Sequence, residues 1–156
     1  MPVTRTNALI LCVDDYENIL AGWKMLLERE GYQALTAVDS NRAIDLFTSH
    51  SVDEVILDCQ LPGVSGDVVA RRMKAIKPGV SILMLSGDDP LPKEKLKPVE
   101  AFLFKADSIT VFLDVVKTLL NICRPALNAC AVPERSDRKS EEAMDEFGAA
   151  AQARAA

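Results

Sequence analysis

The chain has 156 residues, 49% of them apolar, and a formal net charge of −5. That length and apolar content suit one domain with a core of its own, and the acidic balance argues against a surface for nucleic acid, whose phosphates require clustered Lys and Arg. No apolar run approaches the roughly 18 residues needed to cross a bilayer, so no membrane contact is expected. The start, Met1 to Asn7, carries one positive residue and leads into a short apolar run that soon turns acidic, which does not read as a signal peptide. The expectation is a soluble, cytoplasmic protein, monomeric or weakly dimeric. Cys12, Cys59, Cys123 and Cys130 form no CxxC pair and His50 is the single histidine, so the thiols are expected to be reduced and mostly buried, with no zinc site.

Ala8 to Val13 is a continuous apolar run that stops at Asp14-Asp15, as expected of a strand buried on both faces. Ile19, Gly22, Trp23, Leu26 and Leu27 recur at helical spacing, and Gly31 ends that helix. Leu20 and Met25 fall off the stripe and are expected to be exposed. Tyr32 to Ala37 reads as a second strand, and Ser40 as the cap of a helix carrying Ala43, Ile44, Leu46 and Phe47. Glu54 to Leu57 is a third strand ending at Asp58. Leu61-Pro62-Gly63-Val64-Ser65-Gly66 is turn chemistry, followed by a helix through Val68, Val69, Arg72, Met73 and Ile76. Val80 to Leu85 is a fourth strand ending at Ser86. The proline-bearing stretch Asp89 to Pro98 leaves room for only a short helix. Ala101 to Phe104 is a fifth strand ending at Lys105, and Ser108 caps a last helix through Leu120. Beyond Asn121 the composition changes; residues 123–156 read as a tail, disordered apart from a marginal helix over Ser140 to Phe147.

Five strands alternating with helices predict an α/β domain, a doubly wound parallel sheet. In such sheets ligands sit beyond the carboxyl ends of the strands. That rule gathers Asp14, Asp15, Asp58, Ser86 and Lys105 at one edge. Crowded carboxylates repel, and a hard divalent cation such as Mg²⁺ relieves the repulsion with oxygen ligands. An ionised carboxylate can also act as a covalent nucleophile and form an acyl phosphate, a lysine can pair with a phosphate oxygen, and a hydroxyl can donate to another.

With these marks in order, residues 7–122 resemble the response-regulator receiver domains of two-component signalling. The resemblance rests on Asp14-Asp15, on Asp58 with the LPGxxG loop from Leu61 to Gly66, on Ser86-Gly87 and on Lys105. It implies a flavodoxin-like fold with strand order 2-1-3-4-5. It further implies Asp58 as the phospho-acceptor; Asp15 and Asp58 as Mg²⁺ ligands, with Asp14 close by or acting through water; and the backbone carbonyl of Gln60 as the remaining protein ligand. Ser86 would be the switch hydroxyl, Phe102 the switch aromatic and Lys105 the phosphate-binding lysine. The implied partners are a histidine kinase or phosphotransfer protein and a downstream protein target, in a stand-alone regulator rather than an enzyme.

The sequence departs from the family in two places. Ala106 stands where the family has proline, often in a cis peptide, and the stretch from Ser86 to Lys105 is short and carries Pro90, Pro92 and Pro98. These departures leave open a receiver-like binding module that takes no phosphate. An aspartyl-phosphate phosphohydrolase is disfavoured, because the acid that class places two residues after its nucleophile is here Gln60.

Overall fold

The computed structural model describes residues 7–87 and 89–123. Nearly all of the stretch set apart as a tail, including 140–147, lies outside the described residues, as does Asp88. In chain order the elements are β1 (Leu9–Val13), α1 (Glu17–Arg29), β2 (Gln33–Ala37), α2 (Ser40–Ser49) and β3 (Glu54–Asp58). A short hairpin follows, β4 (Gln60–Leu61) and β5 (Val64–Ser65), then α3 (Gly66–Ile76), β6 (Ser81–Ser86), α4 (Lys93–Leu96), β7 (Ala101–Phe104) and α5 (Ile109–Cys123). The main sheet is parallel throughout, ordered β2-β1-β3-β6-β7. Setting aside the hairpin, this is the expected 2-1-3-4-5 arrangement of a flavodoxin-like sheet.

The order follows from burial. Every residue of β3 and β6 is buried, as central parallel strands covered on both faces must be. Alternate residues feed two cores. Leu11, Val13, Val55 and Leu57 pack with Ala43, Phe47, Val69 and Met73 of α2 and α3. Ile10, Cys12 and Ile56 pack with Leu20, Leu27, Val115, Val116 and Leu119 of α1 and α5.

Three local expectations are corrected. On α1 the buried face runs through Leu20, Trp23 and Leu27; Leu20 is buried, whereas Gly22 is exposed. The face is set by the stacking of Trp23 on Phe112 of α5, ring centroids 6.3 Å apart, which the sequence of α1 does not contain. Met25 is exposed, as expected. The cap of α2 is Asp39, whose Oδ1 accepts from the Arg42 N–H at 2.8 Å, one residue before Ser40. The turn after Asp58 is a hairpin, with Leu61 opposite Val64 and Gly63 at φ +76°, a conformation that glycine adopts freely. The fourth helix is one turn long, as its prolines demand.

Candidate functional site

Four of the five strands of the main sheet, β1, β3, β6 and β7, bring polar groups to the same edge. Asp14 follows β1; its N–H donates to Ala37 O, and its Oδ1 accepts from the N–H of Tyr16 at 2.9 Å, which turns the chain into α1. Asp58 ends β3, and the Cys59 N–H carries the pairing with β6 one step further by donating to Leu85 O. Gly66 then returns against this strand end, its N–H donating to Cys59 O. A Cβ on Gly66 would collide with the Asp58 carbonyl oxygen and lie 2.9 Å from the Cys59 Cα, so the last glycine of the LPGxxG loop leaves room for the backbone that carries Asp58. Ser86 ends β6 and its carbonyl accepts from the Lys105 N–H at 2.7 Å, which aligns Lys105 beside it.

The side chains converge. Asp14 and Asp58 are buried and Asp15 is exposed, with one carboxylate oxygen from each all within 4.8 Å of one another. The Lys105 ammonium lies 2.7 Å from Asp14 Oδ2 and 3.3 Å from Asp58 Oδ2. Above them opens a cleft of about 480 Å³, walled by Asp15, Tyr16, Gln60, Ser86 and Lys105 among others. Burial raises the Asp58 carboxyl above its ordinary range; the Gln60 N–H, donating to Oδ1 at 3.3 Å, and the Lys105 charge oppose that rise, while Asp14 adds to it. Lys105 is pulled down by its own burial, but hydrogen bonding to Asp14 and the charges of Asp58 and Asp14 outweigh this and leave it raised. The lysine is therefore held charged beside a carboxyl that burial raises. The Cys59 thiol on the cleft wall is raised by burial, which makes it a poor metal ligand. The remaining donors are carboxylate oxygens, a set suited to a hard, oxygen-seeking cation.

Asp14, Asp15, Asp58 and Lys105 thus meet as the strand ends predicted. Ser86 is at the same edge, but its hydroxyl donates to the Asp89 carbonyl at 2.8 Å rather than towards Asp58. Phe102 sits within β7, half-buried against the α2–α3 core and edge-on to Phe104 at 5.2 Å, away from the cleft wall. The described residues contain no cis peptide, so Lys105-Ala106 is trans. The turn there is held instead by Asp107, whose Oδ2 accepts from the Phe104 N–H at 3.0 Å, and Ser108 caps α5 as expected. Two participants escaped the sequence reading. A backbone carbonyl, that of Asp89, leaves no mark in a sequence. Tyr16 stands on the cleft wall, 63% exposed, with only its place just after Asp14-Asp15 to signal it.

Fold and site together define a doubly wound α/β domain of the kind that carries an acid cluster and a lysine at its strand ends. Residues 10–105 match the response regulator receiver domain, and the chain belongs to that family. It is 32% identical over 80 residues to sporulation initiation phosphotransferase F of Bacillus subtilis, a match covering 51% of this chain and 64% of that protein. To the alkaline phosphatase synthesis transcriptional regulatory protein PhoP of the same organism it is 36% identical over 83 residues, 53% of this chain and 35% of the relative. The chain thus spans less than two thirds of either relative. Among solved structures it resembles the response regulator TrrA from Thermotoga maritima in complex with Mg²⁺–BeF, with 31% identity and a TM-score of 0.68 over 72% of this chain and 98% of that one. A CheY-like receiver domain from Methanospirillum hungatei shares the fold at a TM-score of 0.72 and 24% identity, over 77% of this chain and 98% of that one. No helix among the described residues is long and apolar enough to cross a membrane.

Proposed function

We propose that this chain is a phosphorylation-dependent signalling module in which Asp58 takes a phosphoryl group from the phosphohistidine of a kinase or phosphotransfer protein. The observation that carries the reading is the pairing of Lys105 with both Asp14 and Asp58 at the mouth of an open cleft. An Asp58 carboxylate oxygen attacks the phosphorus; the P–O bond forms as the P–N bond breaks, and the leaving imidazole keeps the nitrogen electron pair and takes up a proton. Lys105 stands where a phosphoryl oxygen would arrive, and its charge is neither lost nor far from Asp58 as the acyl phosphate forms. Asp14, Asp15 and Asp58, with the Gln60 carbonyl, would hold Mg²⁺, which when bound offsets the charge of the transferring group. The Mg²⁺–BeF bound to the Thermotoga relative supports that assignment.

In the state described here Ser86 is tied to Asp89. A phosphate on Asp58 offers that hydroxyl a charged acceptor, stronger than a neutral carbonyl. Moving Ser86 frees the chain between Gly87 and α4, and Phe102 on the neighbouring strand, lacking a hydroxyl, responds by packing alone. Output is a changed protein-binding surface rather than catalysis on a second substrate.

The reading is tested by incubating the protein with Mg²⁺ and a small acyl phosphate and measuring intact mass. A single phosphoryl adduct in wild type and none in Asp58→Asn is the expected pair. Equal results for the two proteins would remove the proposal.

A further inference from the structure

The basic residues of this acidic chain are unevenly placed. Seven of its 18 Lys and Arg lie between positions 71 and 97, on α3 and α4 or at the residue that follows each helix. On α3, Val68, Arg72 and Ile76 are exposed at i, i+4 and i+8, a stripe that alternates apolar and basic character along one face. Beside it, Lys93 and Lys95 on α4 and Lys97 just after it are exposed, and Arg71 ties the two helices by donating from Nη2 to Glu94 O at 2.9 Å. Lys74 is spent on Glu100, and Lys97 on Glu94. Arg72, Lys93 and Lys95 have no ion-pair partner among the described residues. Among the described residues this face is therefore positive, rimmed by Val68 and Ile76, and uncompensated.

The chain also contains the complement. Ser140 to Phe147, SEEAMDEF, carries Glu141, Glu142, Asp145 and Glu146 without a single base, and places Ala143, Met144 and Phe147 at helical spacing. Its distance from the face is no obstacle. The carbonyl of Leu119, near the end of α5, accepts from Ser81 Oγ, where β6 begins. Lys74 and Lys77, at the end of α3, donate to Val80 O and Val52 O at that same edge of the sheet. Sixteen residues, 124–139, then separate α5 from Ser140, and a chain of that length can span up to about 55 Å.

We propose that the acidic segment 140–147 docks on the basic face of α3 and α4 of the same chain, its acids against Arg72, Lys93 and Lys95 and its Met144 and Phe147 against Val68 and Ile76. Tethering raises the effective concentration to the millimolar range, so a weak contact suffices. The segment then shields this face from other acidic proteins, which reach it only by displacing the chain's own. The proposal concerns the unphosphorylated protein and stands whether or not Asp58 takes phosphate.

The test compares amide NMR spectra of the full chain, without any phosphoryl donor, with those of E141Q/E142Q/D145N/E146Q. The expected result is a shift of the Arg72, Ile76 and Lys93 to Lys97 amides, with those of α1 unmoved. Raising salt from about 20 to about 500 mM, which shortens the Debye length to about 4 Å, should move the wild-type amides the same way and leave the variant's in place. Because a charge change can act elsewhere, a swap serves as the second arm: K93E/K95E should lose the docked spectrum and K93E/K95E/E141K/E142K should regain it. Spectra at α3 and α4 that ignore both sets of substitutions would overturn the proposal. Shifts that fade on dilution would overturn it too, since they would assign the contact to a second copy.

Discussion

Strand β3 carries a buried carboxylate at each end, and the two live in different company. Glu54, at its amino end, lies between Ile10 and Ser81 in register and is fully buried, with neither carboxylate oxygen hydrogen-bonded. Burial first, then the charges of Glu100 and Asp53, hold its carboxyl well above the ordinary range. Asp58, at the carboxyl end, is raised by burial too, but an N–H, an ammonium and an open cleft oppose that cost. A buried acid is therefore no site by itself. What separates the two ends is the direction of the parallel strands, which brings loops, side chains and helix starts to one edge only.

The largest effect expected from breaking this contrast is at Gly66. Gly66→Ala forces a Cβ into the Asp58 backbone, and should cost about 3 kcal/mol in denaturant unfolding or displace Asp58 enough to abolish adduct formation. A variant as stable and as reactive as wild type would refute the close-packing argument. Next comes Lys105→Met, which leaves Asp14 and Asp58 without their cation; the rate of phosphoryl uptake should fall about 10²-fold while the fold survives. Stopped-flow measurement with an acyl phosphate reads this, and an unchanged rate would detach Lys105 from the chemistry.

The third effect is smaller and lies at the other end. Glu54→Met, similar in volume and free of charge, should stabilise the domain by about 1–3 kcal/mol at neutral pH, with phosphoryl uptake unchanged. The pH dependence has a definite sign. A carboxyl whose folded pKa exceeds its unfolded value keeps more protons when folded, so its contribution is fully present below the unfolded value of 4.5 and is lost as pH rises through the folded one. Glu54's contribution to wild-type stability should therefore decline as pH climbs above about 4.5, and Glu54→Met should lack that part of the slope. Parallel profiles for the two proteins would mean that Glu54 has a partner in solution.

Most of the architecture was legible because strand and helix leave different periods in a sequence, and because strands buried on both faces read as unbroken apolar runs. The errors fall where a neighbour far along the chain decided the outcome. Leu20 was expected to be exposed from the pattern of α1 alone, yet α1 is rotated to pack against α5. The stretch Leu61 to Gly66 reads as turn chemistry, and the hairpin that pairs Gln60 with Ser65 is not visible there, since two-residue strands are too short to show a period. The burial of Glu54 leaves no mark in the sequence, where it is only the first residue of a strand, because that burial depends on the layers packed around β3.

By itself, the sequence determined which groups meet. Asp14 with Asp15 behind it, Asp58, Ser86 and Lys105 each follow an apolar run, and parallel strands with right-handed crossovers must bring such ends to one edge. Only the tertiary structure decided how they meet: that Lys105 sits between Asp14 and Asp58, that Gly66 is pressed on the Asp58 backbone, and that Ser86 is held by the carbonyl of Asp89. The reason is one of scale. Strand ends are placed by hydrophobic burial, which a one-dimensional pattern encodes, whereas hydrogen bonds and ion pairs depend on ångström distances between residues far apart in the chain, and on backbone atoms that every residue shares.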